Sequence, residues 1–128
     1  MVLKGDQVLL GIRKKNPGAG EYAFAGGHLE HLESFEACAK REVMEETGLE
    51  IENVRFLRVK NMIEYAPRHY LHIALVADWK AGEPQLMEPE KSEGWGWYPL
   101  DALPSPLFAT VADDFEALRS GRVYWDAV

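Results

Sequence analysis

The chain has 128 residues, 47% hydrophobic and 27% charged, the make-up of one globular domain spanning residues 1–128. Its net charge of −7 argues against a broad electrostatic hold on a nucleic-acid polymer, and no apolar run approaches the roughly 20 residues a membrane helix needs. A single cysteine, Cys38, forbids an intrachain disulfide, and Met1-Val2-Leu3-Lys4-Gly5 turns polar too soon for a signal peptide, so a cytoplasmic setting is expected.

In chain order, Val2-Leu3 and Val8-Leu9-Leu10-Gly11-Ile12 predict a hairpin turning at Gly5-Asp6, with a first strand of only about three residues. Asn16-Pro17-Gly18-Ala19-Gly20 is a loop, and Tyr22-Ala23-Phe24 a short strand that runs into a turn at Gly26-Gly27. Ser34 to Thr47 is helical in pattern, with Ser34 as N-cap and Gly48 just past the end. Val54 to Val59 and Tyr70 to Trp79 read as strands, the second apolar enough to be central. A turn at Ala81-Gly82-Glu83-Pro84, a short strand at Trp95 to Tyr98 and a helix from Phe108 to Arg119 complete a mixed α/β domain.

The first helix carries an unusual distribution of charge. At about 100° per residue, Glu42, Glu45 and Glu46 fall within roughly a third of its circumference. Like charges at these spacings repel, and they sit at the negative end of the helix dipole. The apolar stripe Phe35, Ala39, Val43 passes between Glu42 and Glu46, so the face that turns toward the core carries carboxylates. Read alone, such glutamates describe a solvated acidic face neutralised by Lys40 and Arg41. Read as partly buried, they need a cation, and clustered oxygens suit Mg²⁺ or Mn²⁺.

The wider pattern, and the family it resembles, favour the second. Gly27 is followed after five residues by Glu33, and after seven more by Arg41-Glu42-Val43. Glu45-Glu46 follow one residue later, then Gly48-Leu49 after one more. This pattern resembles the Nudix box at every defined position. Val8 to Arg13, Gly26-Gly27-His28-Leu29-Glu30 and Met87 to Trp95 resemble the flanking segments of MutT-like, oxidised-nucleotide pyrophosphatases. The resemblance implies a Nudix-type α/β/α sandwich with a central mixed sheet, and a metal-dependent hydrolase that cleaves a diphosphate linkage with water.

Position by position, the resemblance implies Glu42, Glu45 and Glu46 as ligands of Mg²⁺ or Mn²⁺, with the Gly27 carbonyl as a further oxygen. Glu90 is the expected acid from a later loop, with Glu93 in reserve. Glu46, Glu42 and Glu33 are the candidates for the general base, and Arg41 orients a glutamate. Arg13 and His28 are candidate phosphate contacts, and Phe24 and Phe108 candidate pocket walls. Two departures stand out. Ala25 replaces the proline usual before the glycine pair, and Ala109 follows Pro106-Leu107-Phe108 where relatives carry a tryptophan that stacks on the base.

The implied substrate is a nucleoside triphosphate, 8-oxo-dGTP or another dNTP, cleaved to the monophosphate and pyrophosphate. The alternatives are another diphosphate, such as ADP-ribose or geranyl diphosphate, and a non-catalytic nucleotide sensor. Relatives have further strand residues before the position of Val2, so either the strand is truncated here or another subunit completes its pairing, and a homodimer is expected.

Overall fold

A computed structural model describes residues 1–126. Its elements are β1 (Val2–Lys4), β2 (Gln7–Arg13), β3 (Tyr22–Ala23), α1 (Phe35–Thr47), β4 (Glu50–Met62), β5 (Tyr70–Ala81), β6 (Ser92–Pro99), α2 (Ala109–Ser120) and β7 (Tyr124–Trp125). β2 organises one half of the sheet. β6 runs antiparallel along it from Gln7↔Pro99 to Arg13↔Ser92. Its other edge is shared by β1 near the start and β3 near the end. β5 joins β1 in parallel and β4 antiparallel, and β7 closes the far edge in parallel with β4, so the sheet is mixed as expected.

Alternation along the strands assigns one helix to each face. Leu9 of β2 and Ala77 of β5 pack with Val43 of α1, together with Trp95 and Trp97, whose spacing on one strand places them on the same side. Val8 and Leu10 turn the other way, onto Val111 and Phe115 of α2, and Ala74 and Val76 meet Ala117 there. The result is the α/β/α arrangement the sequence predicts. Gly11 is where β2 meets an aromatic neighbour: a Cβ there would lie 2.7 Å from the Trp95 ring and 2.8 Å from the Gly94 carbonyl oxygen.

The helix ends follow the predicted chemistry. The Ser34 hydroxyl accepts the Ala37 N–H at 3.0 Å, and Gly48 takes a left-handed φ of 74° as its N–H bonds the Met44 carbonyl. β4 is the main departure, since it covers Glu50–Met62 rather than only Val54 to Val59. Its register with β5 shifts three times, and Asn53 takes a φ of 53°. Bulges of this kind break the two-residue period and hide a long strand from pattern reading. β6 likewise begins at Ser92 rather than Trp95, and the two-residue β7 falls below what a pattern can signal.

One interaction joins α2 to the sheet through charge. Arg58 of β4 is fully buried and donates from Nε to Asp114 Oδ1 at 2.5 Å, while its Nη2 bonds the Thr110 carbonyl at 3.1 Å. Asp114 is 4% exposed, so neither partner has water to fall back on. Asp114→Ala is expected to lower stability by about 3–5 kcal/mol, because it leaves the guanidinium charge buried and unpaired. The double change Arg58→Leu/Asp114→Leu should recover much of that loss. Urea denaturation of the three proteins checks both, and a single variant as stable as the double would contradict the account.

Candidate active site

The site lies where the loop after β3 meets the inward face of α1. Val43 is buried, Glu42 is 9% exposed and Glu46 is half-buried, so the two glutamates enter the protein with the apolar stripe. The stripe itself is Ala39 and Val43; Phe35, expected within it, is 52% exposed at the helix start. Glu45 is directed outward, its side chain half exposed.

The glycine pair closes over these carboxylates. A Cβ on Gly27 would overlap the Glu42 carboxylate, so any side chain there would push Glu42 from its place. The Gly26 N–H donates to Glu46 Oε2 at 2.9 Å. Ala25, in place of the family's proline, packs against the α1-side core.

Arg41 ties loop and helix together. Its Nε and Nη2 grip the two Glu33 oxygens at 2.7 and 3.0 Å, a bidentate pair. Nη1 donates to Glu42 at 2.8 Å and Glu45 at 3.2 Å, and Nη2 also bonds the His28 carbonyl at 3.1 Å. These bonds hold the Arg41 charge more firmly than in a free arginine, first through Glu33. The same contact holds Glu33 far below the usual carboxylate range, at about 2. A carboxylate so stabilised is a poor acceptor of a further proton.

Glu46 is the opposite case. Burial first, then the charges of Glu42 and Glu88, push its pKa up to about 7, against the Gly26 hydrogen bond and Lys91. Glu88 was not singled out by the sequence. Glu90 and Glu93 are both exposed, whereas Glu88 is half-buried and close enough for its charge to bear on Glu46. The segment carrying it is anchored on the helix end, with the Gln85 N–H on the Thr47 carbonyl at 2.8 Å and the Met87 N–H on that of Glu46 at 3.4 Å.

Among the described residues no three acidic, histidine or cysteine side chains already converge as a set of metal ligands. Arg41 Nη1 engages Glu42 and Glu45 at 2.8 and 3.2 Å. The donor chemistry nevertheless fits a hard divalent cation. Glu42, Glu45, Glu46 and the Gly27 carbonyl offer only oxygens, and the raised Glu46 marks negative charge still in want of a partner.

A cleft leads from this site across the molecule. Gly26, Gly27, His28, Glu42 and Glu46 line it together with Thr110, Val111 and Asp114 of α2. Arg13 and Phe108 both border it. The Arg13 guanidinium lies 4.4 Å from the Phe108 ring centre, and its Nε bonds the Pro17 carbonyl at 2.9 Å. Phe24 also borders it while packing edge-on against Phe115. The His28 ring stacks on Tyr70. Cys38 is half-buried with its thiol pKa pushed up by burial, a packing residue rather than an activated thiol.

Residues 1–120 match the NUDIX domain family. Among characterised proteins, the NAD-capped RNA hydrolase NudC of Pseudomonas aeruginosa is 36% identical over 128 residues, covering 94% of this chain and 44% of that protein. A NudC of Actinobacillus succinogenes is 34% identical over 111 residues, 80% of this chain and 40% of its own length. The chain thus spans less than half the length of these relatives. A solved MutT NUDIX hydrolase from Burkholderia pseudomallei superposes with a TM-score of 0.83 at 33% identity, over 91% of this chain and 92% of that one. An ADP-ribose pyrophosphatase from Streptococcus suis superposes at 0.69 with 25% identity, over 98% and 93%. Motif, sheet order and likeness lead to one assignment: the chain belongs to the Nudix family of hydrolases.

Proposed function

We propose that this chain hydrolyses the diphosphate linkage of a nucleoside triphosphate, 8-oxo-dGTP or another dNTP, releasing the monophosphate and pyrophosphate. The observation that carries the reading is the inward pair Glu42 and Glu46 beneath Gly26-Gly27. Two carboxylates are held at the end of a cleft with too little positive charge to balance them. Glu42, Glu45, Glu46 and the Gly27 carbonyl would hold Mg²⁺ or Mn²⁺, with Glu88 supplying the acid from the later loop rather than Glu90. A divalent cation supplies charge screening for the phosphates and acidifies bound water.

The protein's own groups do the rest. Glu46, with its second oxygen fixed by the Gly26 N–H, receives the proton of the attacking water. Arg41 and Glu33 act as a positioning pair that fixes Glu42 and the His28 loop, which favours Glu46 over Glu33 as the base. Arg13, stacked on Phe108 at the cleft edge, meets phosphate charge, and Phe24 and Phe108 offer apolar wall to the rest of the substrate. No large ring stands at Ala109, so stacking on the base falls to Phe108.

A second reading, a dinucleotide-like substrate such as ADP-ribose or NAD, is favoured by the relatives named above. It uses the same carboxylates and differs only in what the cleft holds. A panel of dGTP, 8-oxo-dGTP, dCTP, ADP-ribose, NAD, an NAD-capped RNA and geranyl diphosphate, assayed with Mg²⁺ for released products, separates the readings. Turnover of the triphosphates above the others is expected. Preference for ADP-ribose or NAD would transfer the assignment to the second reading, and binding without product would indicate a sensor.

Two variants test the site. Glu46→Gln is expected to lower kcat by about 10³-fold with the fold intact. Gly27→Ala is expected to abolish activity, since the added methyl displaces Glu42. Normal turnover by Gly27→Ala at an unchanged melting temperature would remove Glu42 from the site. Chelating the divalent ions should silence the wild type reversibly.

A further inference from the structure

Lys91 stands at the junction of the two charge sets, and no step described so far uses it. Its main chain is fixed on both sides. The Lys91 N–H bonds the Glu88 carbonyl at 3.0 Å, and the Lys91 carbonyl accepts the Lys14 N–H at 3.1 Å. The next residue, Ser92, begins β6 and pairs with Arg13, so Lys91 and Arg13 sit at the same end of the sheet. The side chain is free to move by comparison. Its ammonium lies 3.3 Å from a Glu88 oxygen, with both side chains partly exposed. It lines the mouth of the site beside Gly26, Gly27, His28, Glu30 and Glu42. In that group it is the single cationic side chain.

The ammonium pairs with Glu88, and Glu42 and Glu46 are close enough for their charges to bear on it. Its charge offsets part of the burial penalty on Glu46, and Glu46 and Glu42 in turn add to the hold of Glu88 on the ammonium. A divalent ion held by the same carboxylates would repel the ammonium, and a phosphate of the substrate would then offer the flexible lysine a new anion. We infer that Lys91 is a tethered counter-ion, which balances Glu42, Glu46 and Glu88 before the metal binds and then passes to the substrate's phosphates. The inference rests on the metal-dependent reading of the site.

The test reads metal binding directly as well as activity. Lys91→Met, with Lys91→Arg as the charge-preserving control, is compared with wild type for Mn²⁺ affinity by electron paramagnetic resonance without substrate. It is then assayed for KM and kcat on the best substrate of the panel. Lys91→Met is expected to bind Mn²⁺ about threefold to tenfold more tightly at low salt, since a competing cation is gone. Its KM should rise roughly tenfold while kcat changes far less, as befits a lost charged contact to phosphate. Lys91→Arg should behave as wild type in both. A lysine serving only to hold Glu88 would alter Mn²⁺ binding and leave KM where it is. If wild type binds Mn²⁺ and Lys91→Met binds it no more tightly, the counter-ion role falls while the metal site stands. If wild type binds no Mn²⁺, the metal reading and the lysine's role fall together.

Discussion

Everything at the active end depends on the guanidinium of Arg41. It is one cation placed among Glu33, Glu42, Glu45 and a backbone carbonyl, on a helix that would otherwise present several like charges to one another. Bidentate pairing with Glu33 fixes the plane of the group, and that plane then aims the remaining N–H bonds at Glu42 and Glu45. A lysine could supply the charge but not the fork. Because Glu33 lies at the end of the loop, just before the N-cap Ser34, and Arg41 two helical turns on, the pair also clamps the loop. The position of Gly26-Gly27 over Glu42 and Glu46 follows from that clamp.

Two buried arrangements of charge in the molecule make an instructive contrast. At Arg58 and Asp114 one cation faces one anion inside the sheet–helix interface, and the charges cancel. At α1 the balance is short: Arg41 is committed to Glu33, Glu42 and Glu45, and Glu46 is left with a hydrogen bond and the charge of Lys91. The first arrangement serves packing. The second stores an attraction for a further cation, and the two are told apart by counting partners rather than by burial alone.

The motif was legible because its geometry is local. Gly27, Glu33, Arg41, Glu42, Glu45 and Glu46 lie within a loop and one helix, so fixed spacings translate directly into a fixed arrangement. Helix boundaries were equally legible, because Ser34 and Gly48 perform chemistry that is written one residue at a time. The long β4 was only half legible, since its bulges break the alternation on which strand recognition rests. Glu88 was missed for a different reason. It sits in an irregular loop where no period says which of Glu88, Glu90 and Glu93 turns inward, and its placement depends on backbone bonds from Gln85 and Met87 to the end of α1. Phe35 continues the helical period of Ala39 and Val43 but stands at the helix start and is exposed, which a period alone does not signal.

The same division explains why the reaction is easier to read than the substrate. The chemistry resides in one contiguous stretch, whereas the cleft draws its walls from β2, β3, the loop before β5, and α2, segments far apart in the chain. Each wall residue also has a structural duty: Phe24 packs on Phe115, Phe108 carries Arg13, and Asp114 answers Arg58. A side chain with two employments gives no clear signal of either in a sequence. Substitutions at wall positions such as Phe24 and Phe108 can therefore reshape what the cleft accepts while leaving the carboxylates, the glycine pair and Arg41 as they were, so one catalytic stretch can serve many diphosphates.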